Sequence, residues 1–170
     1  MSDAIQTVVA DTVIFLQSSI NESNVASSFL RRVAAEDIEM WISRQVIAEI
    51  RDVLTRREIR AKNRRLSDED LERFIQAIEA NARLVDPMPS HVTYMLDPDD
   101  EHVLNLAIEA QARYHVSYDN DLLALMDAKK PEGYAFQLVH PELTIITAGE
   151  FITRLNLFQS KVHSSSGLME

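Results

Sequence analysis

Thr7-Val8-Val9-Ala10-Asp11 is a short, β-branched, largely apolar run that ends on a carboxylate. Residues of this kind suit a pleated, packed backbone, and the largely apolar run from Ile5 to Ala10 is that of a buried strand. A second run, Arg113 to Tyr118, closes in the same way on Asp119. Glu39-Met40-Trp41-Ile42, Tyr134 to Val139 and Leu143 to Ile146 read as further strands.

Helical signals alternate with these runs. Asn24 to Ala35 carries Val25, Phe29, Leu30 and Val33 on one side. Ser43 is a plausible N-cap for an amphipathic helix through Val46, Ile47, Ile50, Val53 and Leu54. Ser67-Asp68-Glu69-Asp70 has the form of a capping box opening a helix with Leu71, Phe74, Ile75 and Ile78 inside, and residues 86–90 break the pattern. Asp97-Pro98-Asp99 introduces a helix in which Asp100, Val103, Leu104, Ala107 and Ile108 share a face. A short helix from Asp121 to Met126 follows, and Thr147-Ala148-Gly149-Glu150 caps a terminal helix through Leu157. Alternation of this kind predicts an α/β fold with a parallel, helix-flanked sheet. Right-handed crossovers then bring successive strand ends to one rim. The expected organisation is one domain over residues 1–157 and a polar, flexible tail over 158–170.

Composition narrows the chemistry. With no Cys, disulfides, zinc–thiolate sites and cysteine nucleophiles are excluded. Three glycines, Gly133, Gly149 and Gly167, leave no room for a phosphate-binding glycine loop. No apolar stretch approaches a bilayer span, and the start of the chain lacks a secretion signal, so a cytoplasmic location without membrane association is expected. The net charge of −10 argues against a general nucleic-acid coat. Yet Arg56, Arg57, Arg60, Lys62, Arg64 and Arg65 form a basic segment in which Glu58 is the lone acid. It reads either as a solvated helix end or as an arm that grips a polyanion.

Asp11, Glu49, Asp100 and Asp119 stand where solubility alone does not explain an acid. Each also has a plain explanation: a turn cap, a solvent-facing helix flank, a helix start, or the turn Asp119-Asn120-Asp121. Together, three of them end elements that face one expected rim. Converging carboxylates repel unless a divalent cation offsets them, and an all-oxygen set suits Mg²⁺ or Mn²⁺. The five histidines show no metal-ligand spacing; His102, two residues past Asp100, is near enough in sequence to approach the site, although a surface role is the favoured expectation. Trp41 and the Phe residues are expected to pack in the core.

The segments around Asp11 (Val8 to Thr12), Glu49 (Ser43 to Ile50), Asp100 (Asp97 to Ala107) and Asp119 (Val116 to Leu123) resemble, in order, the four motifs of the PIN domain family. The likeness is closest to the branch of toxin components of toxin–antitoxin pairs, whose C-terminal helix Thr147 to Leu155 also resembles. This resemblance implies a three-layer α/β/α fold and an endoribonuclease dependent on Mg²⁺ or Mn²⁺. The implied catalytic and metal-holding acids are Asp11, Glu49, Asp100 and Asp119, with Asp121 nearby as a further metal ligand. Thr12, Ser117 and Asn120 would support them, and Arg56, Arg57, Arg60, Lys62, Arg64 and Arg65 would bind RNA. The implied partners are RNA and a cognate antitoxin, with a second copy of the chain as another. The sequence departs from the family at Val13, where a polar Asn or Ser is usual. Loss of such a supporting side chain weakens metal sites ~10–100-fold. Two alternatives stay open: a binding module of the same fold without turnover, and a receiver-like phosphoacceptor domain. The latter wants paired acids after the first strand and a Lys at the end of a late strand, but Asp11 follows its strand alone and Leu143 to Ile146 is followed by Thr147.

Overall fold

The computed structural model describes residues 6–63, 66–91 and 100–166. Ile5, Arg64, Arg65 and the helix-opening segment Asp97-Pro98-Asp99 lie outside the described residues. Strand β1 (Gln6–Ala10) is followed by α1 (Thr12–Ile20) and α2 (Val25–Ala34), then β2 (Ile38–Ser43). Helices α3 (Arg44–Thr55), α4 (Arg57–Lys62) and α5 (Asp68–Asn81) lead to β3 (Ala82–Val85). After α6 (Glu101–Glu109) come β4 (Tyr114–Val116), α7 (Asn120–Ala124), α8 (Pro131–Val139), β5 (Thr144–Ile146) and α9 (Ala148–Ser166).

The described strands form one parallel sheet of order β3-β2-β1-β4-β5. Helices cover both faces in an α/β/α arrangement. The chain steps from β1 through β2 to β3 in one direction, and β4 and β5 lie on the other side of β1. The order therefore reverses between β1 and β4, and the carboxyl ends of those two strands form the crevice where open α/β sheets bind ligands. Ala10 is registered with Val116, so Asp11 and the segment from Ser117 leave the sheet side by side.

The expected caps form. Asn24 accepts the Ser27 N–H, Ser43 accepts that of Val46, and both bonds of the Ser67–Asp70 capping box are made. Helices α2 and α6 each end in a 6→1 bond, Asp37 N–H to Arg32 and Ala112 N–H to Ala107, with Glu36 and Gln111 at positive φ. This turn sends the chain from helix back into the next strand. Phe15, Phe29 and Phe151 are fully buried, and Phe151 meets the rings of Phe29 and Tyr114 edge-on, tying α9 to α2 and β4.

Four differences from the sequence expectations stand out. Tyr134 to Val139 is helix, not strand: Pro131 occupies the first turn of α8 with its φ already helical, and Tyr134, Leu138 and Val139 are exposed rather than sheet-packed. α1 was not expected, because its apolar start, Val13 to Leu16, runs on from the strand without a separate periodicity. β3 was not expected because it has no buried residue: Ala82 and Val85 are half-buried, and Arg83 and Leu84 are exposed. α9 continues past Leu157 to Ser166.

Candidate metal centre at the carboxyl rim

Asp11 leaves the end of β1 as the N-cap residue of α1, with its backbone N–H bonded to the Val116 carbonyl of β4 at 3.1 Å. Glu49 lies in the middle of α3, which Ser43 starts at the end of β2. Asp100 is the N-cap residue of α6, and Asp119 is the N-cap of α7 just beyond β4. All four side chains line a single cavity of about 320 Å³, shared with Thr12, Val13, His102, Val103 and Tyr118. Asp121 and Asn120 are exposed residues in the first turn of α7 and do not line it.

Three of the acids are held in the same manner. Asp11 Oδ1 sits 2.5 Å from His115 Nε2. Glu49 Oε2 accepts the Thr12 hydroxyl at 2.6 Å and lies 3.3 Å from His102 Nε2. Asp119 Oδ1 accepts the N–H groups of Asp121 and Leu122 at 2.8 and 3.0 Å. In each case one oxygen is committed to the protein. Asp11 Oδ2, Glu49 Oε1 and Asp119 Oδ2 take part in none of the hydrogen bonds among the described residues.

The electrostatics follow from these contacts. The bond from His102 holds the Glu49 carboxyl below the usual carboxylate range; partial burial opposes this and the Thr12 hydroxyl reinforces it. Burial pushes the Tyr118 phenol up, so it stays protonated and able to donate at the cavity wall. Ser117, fully buried, accepts the Asp119 N–H on its hydroxyl at 2.9 Å and so sets the backbone that carries the acid.

The donor chemistry fits a hard divalent cation: Asp11, Glu49 and Asp119, each with one anchored oxygen and one outside the hydrogen bonds among the described residues, are suited to monodentate ligation. As the side chains stand, no three His, Asp or Glu groups among the described residues converge closely enough to hold an ion. Thr12 donates its hydroxyl to Glu49, and the Ser117 hydroxyl accepts the Asp119 N–H. Two histidines contribute, one against the favoured expectation and one not foreseen. His102 lines the cavity rather than serving a surface role, because the first turn of α6 faces Glu49. His115 is wholly buried in β4 beneath Asp11. Val13 brings no polar group, yet Glu49 is held from Thr12 and His102.

The basic segment is only partly available to a ligand. Arg56 pairs with Asp52, and Arg60 donates to the Leu54 and Leu66 carbonyls and to Asp68, clamping the turn between α4 and α5. Arg57 and Lys62 are exposed and form none of the ion pairs among the described residues. Asn63 at the end of α4 donates to the carbonyl of Ser19, seven residues along α1 from Thr12, or roughly 10 Å at the helical rise. The described part of the segment therefore does not line the cavity. No described helix is long and apolar enough to cross a membrane.

No curated protein matches the chain. The family model for the PIN domain matches residues 7–121, from β1 through Asp119 to the first turn of α7. Such a match removes the phosphoacceptor alternative. With a parallel sheet of this order and the acids of four ordered motifs lining one cavity at its reversal point, the chain belongs to the PIN domain family, whose members are generally metal-dependent nucleases.

Proposed function

We propose that the protein is an endoribonuclease that uses Mg²⁺ or Mn²⁺ and acts as the toxin component of a toxin–antitoxin pair. One observation carries the nuclease reading: acids from four separate elements line one cavity, and three of them keep an oxygen outside the protein's hydrogen bonds. Asp11, Glu49, Asp100 and Asp119 would hold the cation. When bound, it supplies Lewis-acid chemistry, activating water and offsetting charge on the phosphate. Thr12 orients Glu49, and Ser117 fixes the backbone of Asp119. Tyr118 offers a protonated hydroxyl to the phosphate or the attacking water. Exposed Arg57 and Lys62 would draw the RNA backbone towards a rim that its own charge otherwise repels.

The toxin assignment is supported by the order of the four motifs and by the terminal helix from Ala148. Exposed Tyr134, Leu138 and Val139 on α8 are apolar surface of the kind a cognate antitoxin covers.

The test is cleavage of single-stranded RNA in Mn²⁺. Wild type is expected to cleave, Asp119→Asn to lose ~10²-fold or more, and RNA binding to survive that change. Replacing Arg57 and Lys62 with Ala is expected to weaken binding and reduce its salt slope by about 0.7 for each lost phosphate contact. Equal cleavage by wild type and Asp119→Asn would identify a contaminating nuclease. Metal-dependent binding without cleavage would instead select the binding module, with Val13 as the residue to restore to Asn.

A further inference from the structure

Two imidazoles stand behind the acids of the rim, and the nuclease reading assigns work to neither. We propose that His115 and His102 are positioning residues, each presenting Nε2–H to one site carboxylate: His115 to Asp11 and His102 to Glu49. This rests on the metal-centre reading and adds what orders its acids.

His115 occupies the middle of β4, opposite Val9, with 0% of its surface exposed. Its neighbours on the two strands, Val9 and Val116, are apolar, and burying a polar ring among them costs free energy unless it is hydrogen-bonded. The polar partner present is Asp11 Oδ1 at 2.5 Å, and Nδ1 has none among the described residues. The proton therefore belongs on Nε2. Placing it on Nδ1 would bury an unpaired N–H and set two lone pairs against each other at hydrogen-bond distance.

His102 repeats the arrangement from another element. It enters from the first turn of α6, its side chain is 12% exposed, and its Nδ1 is buried without a partner among the described residues. Its Nε2 faces Glu49 Oε2, the same oxygen that takes the Thr12 hydroxyl. Both donors thus gather on one oxygen and leave Oε1 outside their bonds. Two independent rings share one logic: Nε2 aimed at a site acid, Nδ1 idle. Each orders an acid against the repulsion of its neighbours without claiming the oxygen a cation would need. Such support behind ligating groups is worth ~10–100-fold in metal affinity. It also supplies polar contacts to a site in which Val13 makes none.

Two measurements on the full chain decide it. ¹⁵N NMR of the imidazole nitrogens in the metal-free wild type should show a pyrrole-type Nε2 and a pyridine-type Nδ1 for both rings. Mn²⁺ titration, followed by EPR of the free ion, should show binding weakened ~10–100-fold in His102→Leu. His102→Gln, which keeps an N–H of similar reach, should recover most of that loss, as a merely space-filling role would not require. The Nδ1–H tautomer in either ring, wild-type affinity in His102→Leu, or equal losses in the Leu and Gln variants would overturn the proposal. Those outcomes leave the nuclease reading standing, whereas absence of saturable Mn²⁺ binding by wild type would overturn both.

Discussion

Asp119 Oδ1 accepts two backbone N–H groups at the start of α7, and the other oxygen of the same carboxylate stays outside those bonds. One side chain therefore serves the fold through Oδ1 and would serve the cation through Oδ2. Substitution separates the two. Asn retains an acceptor oxygen and caps about as well as Asp, so Asp119→Asn is expected to keep its thermal stability within a few tenths of a kcal/mol. Asp119→Ala loses the cap and about 1 kcal/mol, which lowers the melting temperature by roughly 2–4 °C in a chain of this size. Calorimetry of both variants checks this; equal melting of Asn and Ala variants would deny the capping role. Asp11, Asp100 and Asp119 were legible in the sequence because each ends or opens an element, whereas Glu49, in the middle of α3, stood out only as an acid inside an amphipathic stretch. The histidines were not. His115 meets an acid 104 residues earlier in the chain, and only the register of β4 on β1 reveals it.

Helices opened by a capping hydroxyl were read correctly, whereas α1 and α8, which have no side-chain cap bond, were not. Ser43, Ser67 and Thr147 mark helix starts because their hydroxyls take orphan N–H groups, whatever the rest of the fold does. Asp70 completes the box at Ser67, whose hydroxyl and then backbone N–H hold its carboxyl below the ordinary value of 3.8. A carboxyl depressed in the folded state contributes stability above its unfolded pKa and loses it as pH falls through the folded value. Ser67→Ala removes the N-cap and is expected to lower stability at neutral pH, and the gap from wild type should narrow as pH drops below the ordinary Asp range. Denaturant melts at neutral and acid pH test it; a gap independent of pH would contradict the coupling. The helix α8 was hidden because Tyr134 to Val139 has the aromatic and branched composition of a strand. What docks it is the absence of a side chain at Gly133, where a Cβ would stand 2.2 Å from the Asp127 carbonyl oxygen. Gly133→Ala should therefore destabilise the protein by about 1–3 kcal/mol despite the better helix propensity of Ala. Unchanged or raised stability would show that α8 shifts freely.

At the scale of the molecule, the sheet order places acids from β1, α3, α6 and α7 around one crevice, although they are scattered from Asp11 to Asp119. Alternating strand and helix signals made the parallel sheet and its common rim readable before any coordinates. They did not reveal that part of the basic segment is used within the fold, with Arg60 of α4 bonded to the Leu54 carbonyl of α3 and to Asp68 of α5. The claim on which the rest depends is that these acids form a cation site in the folded chain. It is tested most directly by the melting temperature of metal-free protein with and without Mn²⁺ near a hundredfold excess over its dissociation constant. A cation bound to the folded state alone adds about 2.7 kcal/mol there, or roughly 5–10 °C for a chain of this size. Wild type should show that rise, and Asp11→Asn only a small fraction of it. No rise in wild type, or the same rise in both proteins, would contradict a metal centre at this rim.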